Sequence, residues 1–94
     1  MSGRLVGFRH TGIVLTLYPV VSTSIDAVAY DGETSVLYLR FRDTKALYAY
    51  YDVPRQTLQE LLASDAKGTY VNTEIKPAFK ARRVRKLPGA RRAS

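Results

Sequence analysis

The sequence predicts an α+β domain: a three-stranded antiparallel β-meander followed by two helices on one face (β-β-β-α-α), with a place for one extra amino-terminal strand. Three observations carry this. Residues 25–51 hold three apolar stretches separated only by short polar breaks, and strands joined so closely pair as antiparallel neighbours. After Pro54 the apolar spacing changes from that of a strand to that of a helix. The 94 residues make one domain with one modest core.

The first strand is Ile25 to Tyr30, closed by the turn signal Asp31-Gly32-Glu33. Ser35 to Arg42 forms the second, and Ala46 to Tyr51 the third, after a polar break at Arg42-Asp43-Thr44-Lys45. A turn centred on Gly32-Glu33 sets Val28 opposite Leu37 and Tyr30 opposite Ser35. The second loop sets Leu39 opposite Tyr48 and Leu37 opposite Tyr50. Alternation then puts Val28, Tyr30, Leu37, Leu39, Phe41, Tyr48 and Tyr50 on one side. Ala27, Ala29, Val36, Tyr38, Arg40, Leu47, Ala49 and Tyr51 fall on the other.

Pro54 suits a helix start, where its missing N–H costs nothing. Leu58, Leu61 and Leu62 form the apolar stripe of the first helix. Ser64 and Asp65 can break and recap the chain. A second helix runs from about Ala66 to Ile75, with Tyr70, Val71 and Ile75 inward, and stops before Pro77. Gly68 costs this helix about 1 kcal/mol against alanine, which a close approach to the sheet would explain.

The outer sheet face is too apolar to stand in water. Residues 13–21 can cover it from within the chain, and a second copy is the alternative. The expected division is therefore an amino-terminal extension over residues 1–21, a core over residues 22–79 and a flexible basic tail over residues 80–94, with no inward-facing residue beyond Phe79. Arg4 and Arg9, the apolar run Ile13 to Val21 and the Ala27-Val28-Ala29 triplet imitate a secretory signal. Pro19 interrupts the run, it is too short to span a bilayer, and cleavage would cut the first core strand. A cytoplasmic protein without a membrane partner is expected.

The net charge is +7, and it is unevenly placed. All eight acidic residues lie between Asp26 and Glu74, where only five basic residues accompany them. From Lys76 onward there are eight positive charges and no negative one. Such a segment is attracted to polyanions; a merely solubilising tail is the competing reading. The chain has no cysteine, which removes disulfides and thiolate chemistry. Its lone histidine, His10, has no neighbouring carboxylate or serine to form a catalytic set. No ligands are spaced for a metal, and no glycine-rich phosphate loop is present. The chain is read as a non-enzymatic binding protein without a cofactor.

The core resembles a known family. Ser24-x-x-x-Val28-x-Tyr30-Asp31 opens the match, followed by Leu37-x-Leu39-x-Phe41, Tyr48-Ala49-Tyr50, Val53-Pro54 and Leu61-Leu62. It closes with Lys67-Gly68-x-Tyr70-Val71-Asn72-x-x-Ile75-Lys76 and Phe79. Their order and spacing resemble the KTSC domain, a short module of bacterial and phage proteins also found at the carboxyl end of some lysyl-tRNA synthetases. The resemblance runs from about Ser22 to Phe79. Two departures are local: Asp65-Ala66 stands where the family often has serine, and Asp43-Thr44 where it often has glycine. The resemblance implies a fold and no established activity; company with a tRNA synthetase implies RNA as the ligand to expect.

Six of the tail cations, Lys76, Lys80, Arg82, Arg83, Arg85 and Lys86, make the strongest candidate site. Arginine's planar fork suits phosphate, and such contacts bind without reading bases. Tyr38, Arg40 and Tyr51 are the stacking candidates on the outer face, of which Tyr38 and Arg40 are added to the site, whereas Tyr48 and Tyr50 are read as core. Lys67 and Asn72 are candidate ligand contacts, level with a purely structural reading in which Gly68 packs tightly. The expected partner is nucleic acid, RNA by resemblance. The alternative is a protein partner or a homodimer, with the tail merely solvated.

Overall fold

The computed structural model describes residues 15–88. Its strands are β1 (Tyr18–Pro19), β2 (Ile25–Asp31), β3 (Val36–Phe41), β4 (Leu47–Tyr50) and β5 (Ala81–Val84). Between β4 and β5 lie α1 (Arg55–Ala63) and α2 (Lys67–Tyr70), the latter running on into a π-helical turn over Val71–Ile75. The sheet is antiparallel in the order β1-β2-β3-β4-β5. Three core strands and two helices are as expected from the sequence; β1 fills the place left for an amino-terminal strand, and β5 adds an unexpected one at the other edge.

The turn from β2 to β3 is longer than the Gly32-Glu33 signal implies. The Asp31 carbonyl accepts from the Ser35 N–H at 2.8 Å, and its side chain accepts from the Glu33 N–H at 3.0 Å. Tyr30 therefore pairs with Leu37 and Val28 with Leu39, two residues away from the expected register. A slip of two keeps each side chain on its face, whereas a slip of one would have inverted both. The β3–β4 register places Leu39 opposite Tyr48 and Leu37 opposite Tyr50, as expected.

The inner face carries Ile25, Val28, Leu37, Leu39 and Tyr50, packed with Val53, Leu61, Val71 and Ile75 from the helical layer. The Tyr30 hydroxyl donates to the Val53 carbonyl at 2.6 Å, tying β2 to the entrance of α1. Of the expected leucine stripe, Leu61 is fully buried but Leu62 is exposed, because α1 meets the sheet along a narrow line. Ser64 ends α1, and its hydroxyl accepts from the Ala66 N–H at 3.0 Å, which starts the next helix. Tyr70, expected inward, is only half-buried and donates its hydroxyl to Glu60 at 2.8 Å. Gly68 lies against the start of β2; a methyl group there would stand 2.8 Å from the Ser24 Cβ and would also overlap its hydroxyl.

The outer face is also a core. Ala29, Val36, Tyr38, Leu47 and Ala49 are buried together with Leu87, and Leu15, Leu17 and Val84 pack against them. Two expectations fail here. A flexible tail from residue 80 gives way to β5, which pairs with β4 from Leu47–Val84 to Tyr50–Ala81. Leu87 is buried, so an inward-facing residue does lie beyond Phe79. The physical reason is that β4 would otherwise be an apolar edge with unpaired backbone groups, and Val84 and Leu87 bring apolar surface that the charge count of the tail conceals. Residues 1–14 and 89–94, with His10, Ile13, Arg91 and Arg92, lie outside the described residues. Among the described residues no helix is long and apolar enough to cross a membrane.

Candidate nucleic-acid interface

Of the basic residues after Pro77, Arg82 and Arg83 are positioned by strand geometry. In β5, Arg83 sits opposite Tyr48 and Arg82 opposite Ala49, so alternation sends Arg83 to the helix side and Arg82 to the outer side. On the helix side Arg83 meets the end of the helical layer. There a cleft of about 470 Å³ is lined by Ser24, Phe41, Asp43, Thr44, Tyr48, Asn72, Lys76 and Arg83, among others. Asn72 and Lys76 are four residues apart and share a face of the π-helical turn, closed by the Lys76 N–H donating to the Val71 carbonyl at 2.8 Å. The Lys76 ammonium lies 5.2 Å from the centre of the Phe41 ring, a cation–π contact that holds it over the cleft wall. Phe41 and Tyr48 meet edge to face, 5.6 Å between ring centres.

A second recess, of about 580 Å³, adjoins the first and shares Ala46 and Arg83 with it; Lys45 and Arg85 complete its charged lining. Lys76 and Arg83 thus line the first recess and Lys45, Arg83 and Arg85 the second, the two together termed the groove, with Asp43 the only acidic side chain in either lining.

The other candidates divide. Lys80 immediately precedes β5, and its carbonyl accepts from the Tyr51 N–H at 2.9 Å. Lys86 lies on the outer side, by Tyr38 and Leu87. Lys67 is turned back, donating to the Ser64 carbonyl at 2.9 Å, away from the groove that Asn72 lines. Tyr38 is 6% exposed and packed in the outer core, so it presents no ring for stacking; burial also raises its pKa, helped by Asp31 and Tyr51. Tyr50 is core, as expected, and burial raises its pKa too. Tyr48 is half-buried and contributes to the cleft as well as to the core.

Arg40 is engaged in an ion pair. A β-bulge between Ile25 and Ala27 aims Asp26 at the outer side, where it accepts from Arg40 at 2.8 Å and from Lys45. Lys45 and Arg40 hold its carboxyl at a pKa of about 2, against an opposing push from desolvation. Lys45 reaches Asp26 from a left-handed backbone, φ 59°, a conformation that costs a non-glycine residue on the order of 1 kcal/mol and needs a compensating contact. These are the ion pairs present among the described residues, and neither involves Lys76, Arg83 or Arg85.

Sequence reading alone missed Lys45, Tyr48 and Thr44 as parts of the groove. Their signal was the short loop itself, which carries Thr44 and Lys45 to the same end of the sheet as Ser24 and Arg83. It becomes visible only once the fifth strand is known.

A sequence profile of the KTSC domain matches residues 21–79. A protein of Tsukamurella paurometabola is 42% identical over 65 residues, covering 69% of this chain and 96% of that protein. An uncharacterised protein of Stutzerimonas stutzeri is 38% identical over 56 residues, covering 60% of this chain and 78% of that one. The crystal structure of a KTSC domain protein from Yersinia pestis matches with a TM-score of 0.72 at 28% identity, over 77% of this chain and 100% of the other. Asn72 and Lys76 fall inside the matched residues, whereas Arg83 and Arg85 follow them.

Proposed function

The chain belongs to the KTSC domain family, and on that footing we propose that it is a non-catalytic protein that binds single-stranded nucleic acid along the groove between its helical layer and β5. The observation that carries the reading is the gathering of Lys76, Arg83, Arg85 and Lys45 along two adjoining recesses whose linings hold one carboxylate, Asp43, with Asp26 bound to Lys45 from outside them. Cations aligned in a groove follow a phosphate backbone, and aromatic rings in its wall give bases a surface to lie on. RNA in preference to DNA is what the resemblance to the synthetase-associated module adds. Compartment and any further partner stay at the expectation of a cytoplasmic protein that acts away from membranes.

A protein-docking role finds less support. The outer face that such a partner would use is filled by Leu15, Leu17 and Leu87, and the approach to Gly68 is taken by Ser24. The test is direct: titrate the full chain against labelled single-stranded RNA and DNA of the same sequence at low and moderate salt. Salt-sensitive binding, tighter for RNA, is expected. No binding to either strand at low salt would overturn the reading.

A further inference from the structure

We propose that the cleft between Asn72 and Arg83 is a seat for one nucleotide unit, with its phosphate between Lys76 and Arg83 and its base against the Tyr48 and Phe41 wall. The proposal rests on the nucleic-acid reading of the groove and adds to it a discrete base-holding site. A track of cations alone would bind phosphates anywhere along its length. This stretch differs from the rest of the groove in three ways.

Its size and lining come first. At about 470 Å³ it falls within the ~300–1,000 Å³ typical of small-molecule clefts, more than a phosphate group needs. It joins aromatic side chains to cations and to the neutral hydrogen-bonding groups of Ser24, Thr44 and Asn72. The adjoining recess, lined by Lys45, Ala46, Leu47, Arg83, Val84 and Arg85, has no aromatic ring and no side-chain amide.

The π-helical turn is the second. Such turns are rare and frequently found at functional sites. Here Val71 and Ile75 point into the core, 1% and 0% exposed, while Asn72 and Lys76 take the cleft side. The wide turn and its cap let two buried anchors and two exposed polar groups share the six residues from Val71 to Lys76.

The third is the chemistry of the rim. A side-chain amide both donates and accepts, as a base edge does. Asp43 accepts only, so it suits a ribose hydroxyl or an exocyclic amine and repels phosphate. Lys76 and Arg83 supply the phosphate contacts. A free phosphate would use the two cations and leave Asn72 and the rings without a role.

The experiment uses the full chain, uniformly labelled with 15N. Adenosine 5′-monophosphate, uridine 5′-monophosphate and inorganic phosphate are titrated separately at one ionic strength. The nucleotides should shift the amides of Ser24, Thr44, Tyr48 and Asn72 and bind about tenfold more tightly than phosphate, the factor that stacking one base on a ring commonly supplies. Asn72→Ala, at an exposed position, should weaken the nucleotides and leave phosphate unchanged. Equal affinity for nucleotides and phosphate would overturn the proposal, as would nucleotide shifts confined to residues outside the cleft. If an RNA oligonucleotide still binds in either case, the groove reading stands without the seat. If nucleotides occupy the cleft but oligonucleotides do not bind, the seat stands and the groove reading falls.

Discussion

Replacing Arg83 and Arg85 together by glutamine should remove half of the salt dependence of RNA binding. Four cations line the groove. If each neutralises one phosphate of a single strand, log affinity falls with log salt at a slope of about −0.7 per contact, or about −2.8 in all. Between about 50 and about 200 mM salt the full chain then loses roughly fifty-fold in affinity, and a chain with two contacts fewer roughly sevenfold. Lys45 already answers Asp26, so about −2.8 is the steepest slope the four cations can give. Neither Arg83 nor Arg85 is buried or ion-paired among the described residues, and surface changes of that kind alter stability by about 0.5 kcal/mol or less. The assay is fluorescence anisotropy with a short labelled RNA, with circular dichroism to check the fold. Arg82→Gln with Lys86→Gln is the matched control: the same charge is lost, but from the outer side. Equal flattening by both double variants would mean that net charge rather than the groove governs binding, and an unchanged slope in a folded R83Q/R85Q chain would refute the groove outright.

Three predictions concern the scaffold. Tyr50→Ala removes a ring that is 3% exposed in the inner core and should cost about 3–5 kcal/mol; a chemical-denaturation midpoint like that of the parent would place the ring outside the core. Leu87→Ala should cost about 2 kcal/mol, seen as a fall in Tm of roughly 8–16 °C, and an unmoved Tm would mean that Leu87 does not close the outer face. Asp26 has its pKa lowered from 3.8 to about 2 in the folded chain, so its ionised form adds stability that is fully present above the unfolded value and is lost as pH falls toward about 2. The Asp26→Asn variant should therefore be less stable than the parent at neutral pH, with the gap narrowing through that acid window, and a gap independent of pH would show that the ion pairs are not its source.

What the sequence made legible follows from periodicity. From Ala27 onward the three core strands alternate over enough residues that a two-residue error in the β2–β3 turn left both faces right. That is why Tyr50 could be assigned to the core and the outer face recognised as needing cover. Of the edges, the amino-terminal one was legible only as a place for a strand, and the carboxyl-terminal one was not legible. β1 has two residues, too few for any period, and β5 reads Ala81-Arg82-Arg83-Val84, in which charge masks strand character. The candidate site suffered from the same blind spot. Lys76, Asn72 and Arg83 were each singled out, but as a tail and a helix motif with separate roles. Tyr38 and Arg40 were drawn into the site although the outer face was expected to be covered; its burial and the Asp26 bulge give both residues structural work. The bulge itself leaves no mark in the sequence, since Asp26 sits in an otherwise regular strand.

The placement of the cations on an edge strand gives them a competing purpose that must be separated from binding. Charged residues on an edge keep sheets from pairing end to end, and Lys80, Arg82, Arg83, Arg85 and Lys86 would serve that purpose with no ligand at all. The two roles distribute their demands differently. Protection of an edge depends on charge anywhere along β5, so R82Q/K86Q and R83Q/R85Q should then promote self-association alike. A groove depends on side, because alternation sends Arg83 toward Asn72 and Lys76 and Arg82 away from them. Lys76 sharpens the distinction: it lies on the π-helical turn rather than on the edge, held over Phe41 at 5.2 Å, and edge protection gives it nothing to do. Lys76→Gln should therefore weaken RNA binding and flatten its slope by about 0.7 while leaving the chain as monodisperse as the parent by light scattering. Self-association of that variant with unaltered RNA affinity would reverse the assignment and make the basic strand a guard rather than a binding surface.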